Sequence, residues 1–208
     1  MKTTLLLLTL LFSVSSFAQT QSGVYAQPVL GKGKPQRPLQ LSLDIYPFLF
    51  LSNGGGGTAS VEFGHWQIGG VGFSVVPPDY ITKTFFRNVD NVTVVRNNAV
   101  EVFANYYFRP DRKGVYAGFL GGPEWFIMED KLTRQREMIR KTYVVPRLGI
   151  RVFPFHKCFY ADASFGWSLN LSGTQTRTLG QSAYNASGGG FIYFLQIGAR
   201  LNLVKPKF

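Results

Sequence analysis

From position 39 onward, apolar and polar residues alternate with a period of two, segment after segment. Leu39, Leu41, Leu43 and Ile45 share one face, and Gln40, Ser42, Asp44 and Tyr46 share the other. Such alternation marks a strand with one apolar and one polar side. The same reading predicts strands at 59–64, 70–75, 100–109, 144–152, 159–171 and 191–203. On the third of these eight strands, Val71, Phe73 and Val75 are assigned to the apolar face, opposite Gly70, Gly72 and Ser74. Residues 115–128 are apolar on both faces, so their strand has no assigned facing.

The connections alternate as well. Short turns fall near 64–66, 110–114 and 154–158, whereas 52–57, 77–98, 129–141 and 172–189 are longer. Short turns at one end and long loops at the other are the plan of an up-and-down barrel in an outer membrane. No assigned apolar-face position carries Asp, Glu, Lys or Arg. Aromatic residues gather near the strand ends, as they do where a bilayer meets water. A soluble barrel would turn its apolar face inward and need charges outside. The expected fold is therefore all-β: an eight-stranded antiparallel up-and-down transmembrane β-barrel.

The segments 100–113 (VEVFANYYFRPDRK), 144–162 and 191–204 (FIYFLQIGARLNLV) carry a likeness to a known architecture. The chain resembles the small eight-stranded outer-membrane β-barrels of the OmpA/OmpX and PorT-like type of Gram-negative bacteria, over roughly residues 38–204. The resemblance implies an outer-membrane location, outer-membrane lipids including lipopolysaccharide as surroundings, and the barrel-assembly machinery as a partner in biogenesis. It implies no single activity. Members commonly end on an outward aromatic residue; here Pro206 interrupts the strand and Phe208 has the wrong parity, so Leu201–Val204 is the alternative assembly signal.

The N-terminus agrees with export. Lys2 precedes an apolar run from Leu5 to Val14, and small residues lead up to a cleavage site between Ala18 and Gln19. That is the pattern of a secretory signal peptide, too short to span a bilayer. The expected organisation is a signal peptide at 1–18, a flexible periplasmic leader at 19–37 and an outer-membrane barrel at 38–208. Composition then excludes other classes. The 208 residues hold 22 Lys+Arg against 11 Asp+Glu, a net charge of +11, yet only 16% are charged. Ordinary soluble domains carry about 25%. The basicity looks at first like a nucleic-acid signature. An exported chain with its cations flanking an uncharged belt argues against nucleic acid and for anionic lipid. A single cysteine, Cys158, excludes a disulfide scaffold.

Candidate chemistry concentrates on the polar face. Asp44, Glu62, Glu101 and Asp162 oppose Arg109, Arg147, Arg151 and Arg200. Four acids and four arginines inside a narrow lumen suggest a paired network, because arginine pairs carboxylates bidentately. Barrel closure is expected to bring Arg200 to Asp44, and the hairpin of strands six and seven to bring Arg151 to Asp162. The network reads as a structural plug, with a gated polar path as the alternative. In the 129–141 loop, Arg134, Arg136, Arg140 and Lys141 are candidates for contact with anionic lipid. His65 and His156 have no nucleophile beside them, and the glycines at 54–57 lack the helix and lysine of a phosphate loop. No catalytic, metal or cofactor site is expected. The functional expectation is a monomeric, non-enzymatic barrel with a charge-plugged lumen and a structural or surface-interaction role. A small pore or apolar-solute transporter comes second, and a lipid-modifying enzyme third.

Overall fold

The computed structural model describes residues 39–154, 158–186 and 188–203. The segments expected to be a signal peptide and a leader, together with His156 and residues 204–208, lie outside the described residues. Eight antiparallel strands close into a barrel: β1 (Gln40–Ile45), β2 (Gly55–Phe63), β3 (Trp66–Val75), β4 (Val92–Tyr107), β5 (Gly114–Asp130), β6 (Arg136–Val152), β7 (Phe159–Trp167) and, last in the chain, β11 (Phe191–Asn202). Each pairs with its neighbour in sequence. β1 pairs with β11, with Leu43 opposite Ala199, and this pairing closes the ring. Closure removes the exposed sheet edges that an open sheet of this size would have.

Outward positions follow the alternation on β1, β4, β6, β7 and β11, and Leu43, Val100, Val102, Ile150, Phe165 and Ile197 are all exposed. The third strand is a correction. Val71 and Val75 are buried in the interior, with Phe73 packed beside them, while Ile68, Gly70 and Gly72 face outward. Gln67 explains the parity. It is buried at 1% exposure and can be satisfied only inside, so 67, 69, 71, 73 and 75 turn inward together. On β5, Glu124 sets the facing in the same way: Tyr116, Leu120, Glu124 and Phe126 point inward.

Three strands run well past the length a bilayer crossing requires. β4 has 16 residues, and β5 and β6 have 17 each, against about 9–11 for a tilted transmembrane strand. Most of the loop expected at 129–141 is therefore a hairpin of continuous strand, with Glu129 opposite Arg136. The loop expected at 77–98 holds helix α2 (Asp79–Phe85) and, from Val92 on, the start of β4. The glycines expected to form a loop start β2 at Gly55, where a Cβ on Gly56 or Gly57 would collide with Phe73 or the Asp44 carbonyl. A short helix, α1 (Pro47–Leu51), bridges β1 and β2 and leaves Phe50 and Leu51 exposed. The last long connection holds β8 (Leu169–Asn170) and the hairpin of β9 (Thr176–Leu179) and β10 (Ser182–Asn185).

This hairpin and α2 fold over the long-loop end of the barrel. Phe85, Phe86, Leu179 and Tyr184 pack on Phe126, Met128, Ile139 and Tyr143 from the strand walls, forming an apolar core. Backbone bonds between Arg87 and Asn185, at 2.8 and 2.9 Å, join the two covering segments.

Candidate functional site: a buried polar network in the barrel interior

At the short-turn end the interior changes from apolar to charged. Glu62 on β2, fully buried, is the hub. It accepts hydrogen bonds from Ser42 Oγ at 2.6 Å, Arg151 Nη1 at 2.6 Å and Arg112 Nε at 2.8 Å. Arg151 sits opposite Asp162 in the β6–β7 register and donates to it through Nε at 3.2 Å. Its Nη2 reaches Gln67 Oε1 at 2.9 Å, and its guanidinium lies 3.9 Å from the Tyr160 ring centroid and 4.8 Å from that of Tyr107. Tyr116 completes the arrangement by donating to Asp162 at 2.6 Å. Gly149 makes this possible, because a side chain there would overlap the Tyr116 ring. Thr58 donates to Asp44.

The structure places the eight expected interior charges unevenly. Glu62, Asp162 and Arg151 meet in one cluster. Arg147 lies a layer away, donating to Asn105 Oδ1 at 3.0 Å with its guanidinium 5.2 Å from the Phe103 ring. Glu101 is buried on the same interior face. Arg200 does not reach Asp44. Opposite Ser42 in register, it comes within 3.9 Å of Glu62, and Gly198 is the residue beside Asp44. Arg109 is not in the lumen. β4 ends at Tyr107, so Arg109 falls in the turn, half exposed and paired with Asp111 at 3.1 Å.

Arg112 occupies the interior position expected of Arg109. It has a left-handed backbone (φ 53°), which turns the β4–β5 connection back beneath the barrel. From there its side chain bonds Glu62, the Gly64 carbonyl and Gln40. Periodicity gives no sign of this, because a turn residue has no face. Glu124 is also missing from the expected interior charges, although a signal for it exists, since a charge in a doubly apolar run has to face inward.

The expected lipid contacts also divide. Lys141 faces the interior, fully buried, with Nζ donating to the Gly173 carbonyl at 3.2 Å; its odd position on β6 is the inward one. Arg134 and Arg136 bind Glu129 at 2.8 and 2.7 Å. Arg140 faces outward, 5.9 Å from the Trp125 ring. Among the described residues, no three His, Cys, Asp or Glu side chains are grouped to hold a metal.

The hairpin tip at 131–135 has its own polar latch. Asp130 accepts from the backbone N–H of Leu132 at 2.8 Å, Thr133 at 3.2 Å and Gln181 at 3.1 Å, joining the β5–β6 and β9–β10 tips. Gly180 (φ 59°) lets the second tip approach. These bonds hold the Asp130 carboxyl below the usual range, and Arg134 and Arg136 do the same for Glu129. A lowered folded-state pKa gives stability that is complete above the unfolded value, about 4, and is lost as pH falls through the folded one. Protection of the Leu132, Thr133 and Gln181 amides, taken relative to the intrinsic exchange rate at each pH, should therefore be high at pH 6 and fall as pH drops below about 4. Asp130→Asn should show low protection at these amides at every pH. Unchanged protection in the variant would remove the latch.

No protein-family model and no curated protein sequence matches the chain. Among solved structures, the chain is similar to the N-terminal β-barrel domain of Pseudomonas aeruginosa OprF, at 13% identity and a TM-score of 0.45, over 82% of this chain and 100% of that one.

Proposed function

We propose that the protein is an integral outer-membrane barrel, closed by its own side chains, with a structural or surface-interaction role and no catalytic activity. One observation carries the reading. Among the described residues, no outward strand position between Arg140 and the short turns is charged, although the interior facing it holds Glu62, Arg112, Arg151 and Asp162. An apolar exterior around a polar interior inverts a soluble protein and suits a hydrocarbon surrounding. The short turns then face the periplasm, and the β4–β6 extension stands outside the cell. Export by a signal peptide, assembly by the barrel-assembly machinery and a monomeric state belong to the same proposal.

An eight-stranded barrel is just wide enough for side chains to fill. Here Arg112 lies across one end, and Phe85, Phe86, Leu179 and Tyr184 fill the other. The refolded full chain, inserted into a planar bilayer, should therefore show no discrete conductance steps. A second reading, passage of apolar solutes, is favoured by one feature: the upper interior is filled from loops instead of from the strands alone. Stepwise conductance would contradict the closed barrel.

A further inference from the structure

One lateral row on the outer surface combines chemistries that the barrel itself does not need. In register across four strands lie Ser74 on β3, Asn98 on β4, Trp125 on β5 and Arg140 on β6. All four face outward. Arg140 stacks over Trp125. At the other end stands Arg96, which owes its facing to a β-bulge. Val92 and Val94 are buried, so strict alternation would send residue 96 inward as well. The register shifts between Val94 and Arg96, and Arg96 comes to lie opposite the outward Ile127. Bulges re-aim side chains in this way. Arg96 then donates to Ser74 Oγ at 3.1 Å, using one of its five N–H donors.

The result is a strip about 14 Å wide, from four strands spaced about 4.8 Å apart. It has a guanidinium at each end and hydroxyl, amide and indole groups between. Toward the short turns, the next outward residues are Gly72, Val100, Pro123 and Thr142, the upper edge of the uncharged belt. Above it, Arg134 and Arg136 are drawn to Glu129, which leaves Arg96 and Arg140 to define the charge of the strip.

We propose that Arg96, Ser74, Asn98, Trp125 and Arg140 form a docking site for the phosphorylated saccharide headgroup of an outer-leaflet glycolipid, namely lipopolysaccharide. The inference rests on the outer-membrane reading above. Each part has a partner: guanidinium groups bind phosphate by charge-assisted, bidentate bonds, amide and hydroxyl groups bond sugar hydroxyls, and the indole offers an apolar face with an N–H at its edge. The acyl chains continue down the belt. An aromatic residue at this boundary is ordinary; a bulge that brings a second arginine to the same row is not.

The test uses the full chain refolded into phosphatidylcholine vesicles. Insertion is scored by protection from protease, and retained lipid A, bis-phosphorylated or dephosphorylated, is counted by native mass spectrometry. Wild type should retain the phosphorylated form, and R96S/R140S should bind it at least tenfold more weakly. The variant R109S, at the opposite end, should match wild type, and R96K/R140K should recover part of the affinity while keeping the charge. Equal retention by R96S/R140S and wild type, or equal retention of the dephosphorylated lipid, would overturn the site while leaving the barrel reading intact. A wild-type chain that inserts in no vesicle would overturn the outer-membrane reading itself.

Discussion

Arg151→Ala is expected to lower the unfolding free energy by about 3–5 kcal/mol, the usual cost of removing one partner from a buried ion pair. The size follows from what is left behind. Arg151 bonds Glu62, Asp162 and Gln67 at once, and Glu62 and Asp162 are almost completely buried. Without the guanidinium, Glu62 keeps Arg112 and Ser42, and Asp162 keeps the Tyr116 hydroxyl. Two carboxylates would then share an interior that has lost its central cation. Removing charge from both sides should cost less: Arg151→Met combined with Asp162→Asn, which leaves the Glu62–Arg112 pair intact, should be more stable than Arg151→Met alone. Urea titration of the folded chain in detergent, read by heat-modifiable gel mobility, measures both. A loss under about 1 kcal/mol for Arg151→Ala would show that water, not the network, solvates these acids.

Val102→Arg should be nearly as costly, for the opposite reason. Val102 is 65% exposed, so most of its side chain faces away from the barrel's own residues. In a protein surrounded by water, such a change stays within about 0.5 kcal/mol. On the lipid face near the middle of a bilayer it costs about 2–4 kcal/mol. The substitution therefore separates the two environments by its size alone, when unfolding is followed in lipid vesicles.

The alternation made most of the barrel legible. On β1, β4, β6, β7 and β11, enough polar residues mark one face to fix it, even across runs such as Val144–Val145 and Phe191–Leu195 that are apolar on both, and register follows from facing. Its one error of facing involved glycine. On β3, Gly69, Gly70 and Gly72 give no polarity signal, so only Gln67, at the edge of the segment, determined which way Val71 turned. The long extensions of β4–β6 were hidden because their outward residues stand above the belt and carry charge: Arg136 and Arg140 read as loop, although Ile139 and Tyr143 between and beyond them are core. Lys141 was misplaced by the same rule, since charge density suggests solvent and only strand parity puts it inside. The interior network was legible in its strand members, Glu62, Asp162 and Arg151. Arg112 was not, because its position depends on a left-handed turn residue that no periodicity encodes.

The claim that this barrel stands in a bilayer with its apolar face outward is tested most directly by spin-label scanning of β4. In a Cys158→Ser background, a nitroxide is placed in turn at positions 98 to 106 of the chain refolded in vesicles. Collision rates with oxygen, which concentrates in the hydrocarbon, are compared with those of a water-soluble nickel complex. Oxygen access should peak at 100, 102 and 104 and drop at 101, 103 and 105, with nickel excluded from the peaks. Nickel access equal to or above oxygen access at 100, 102 and 104 would place that face in water and contradict the account.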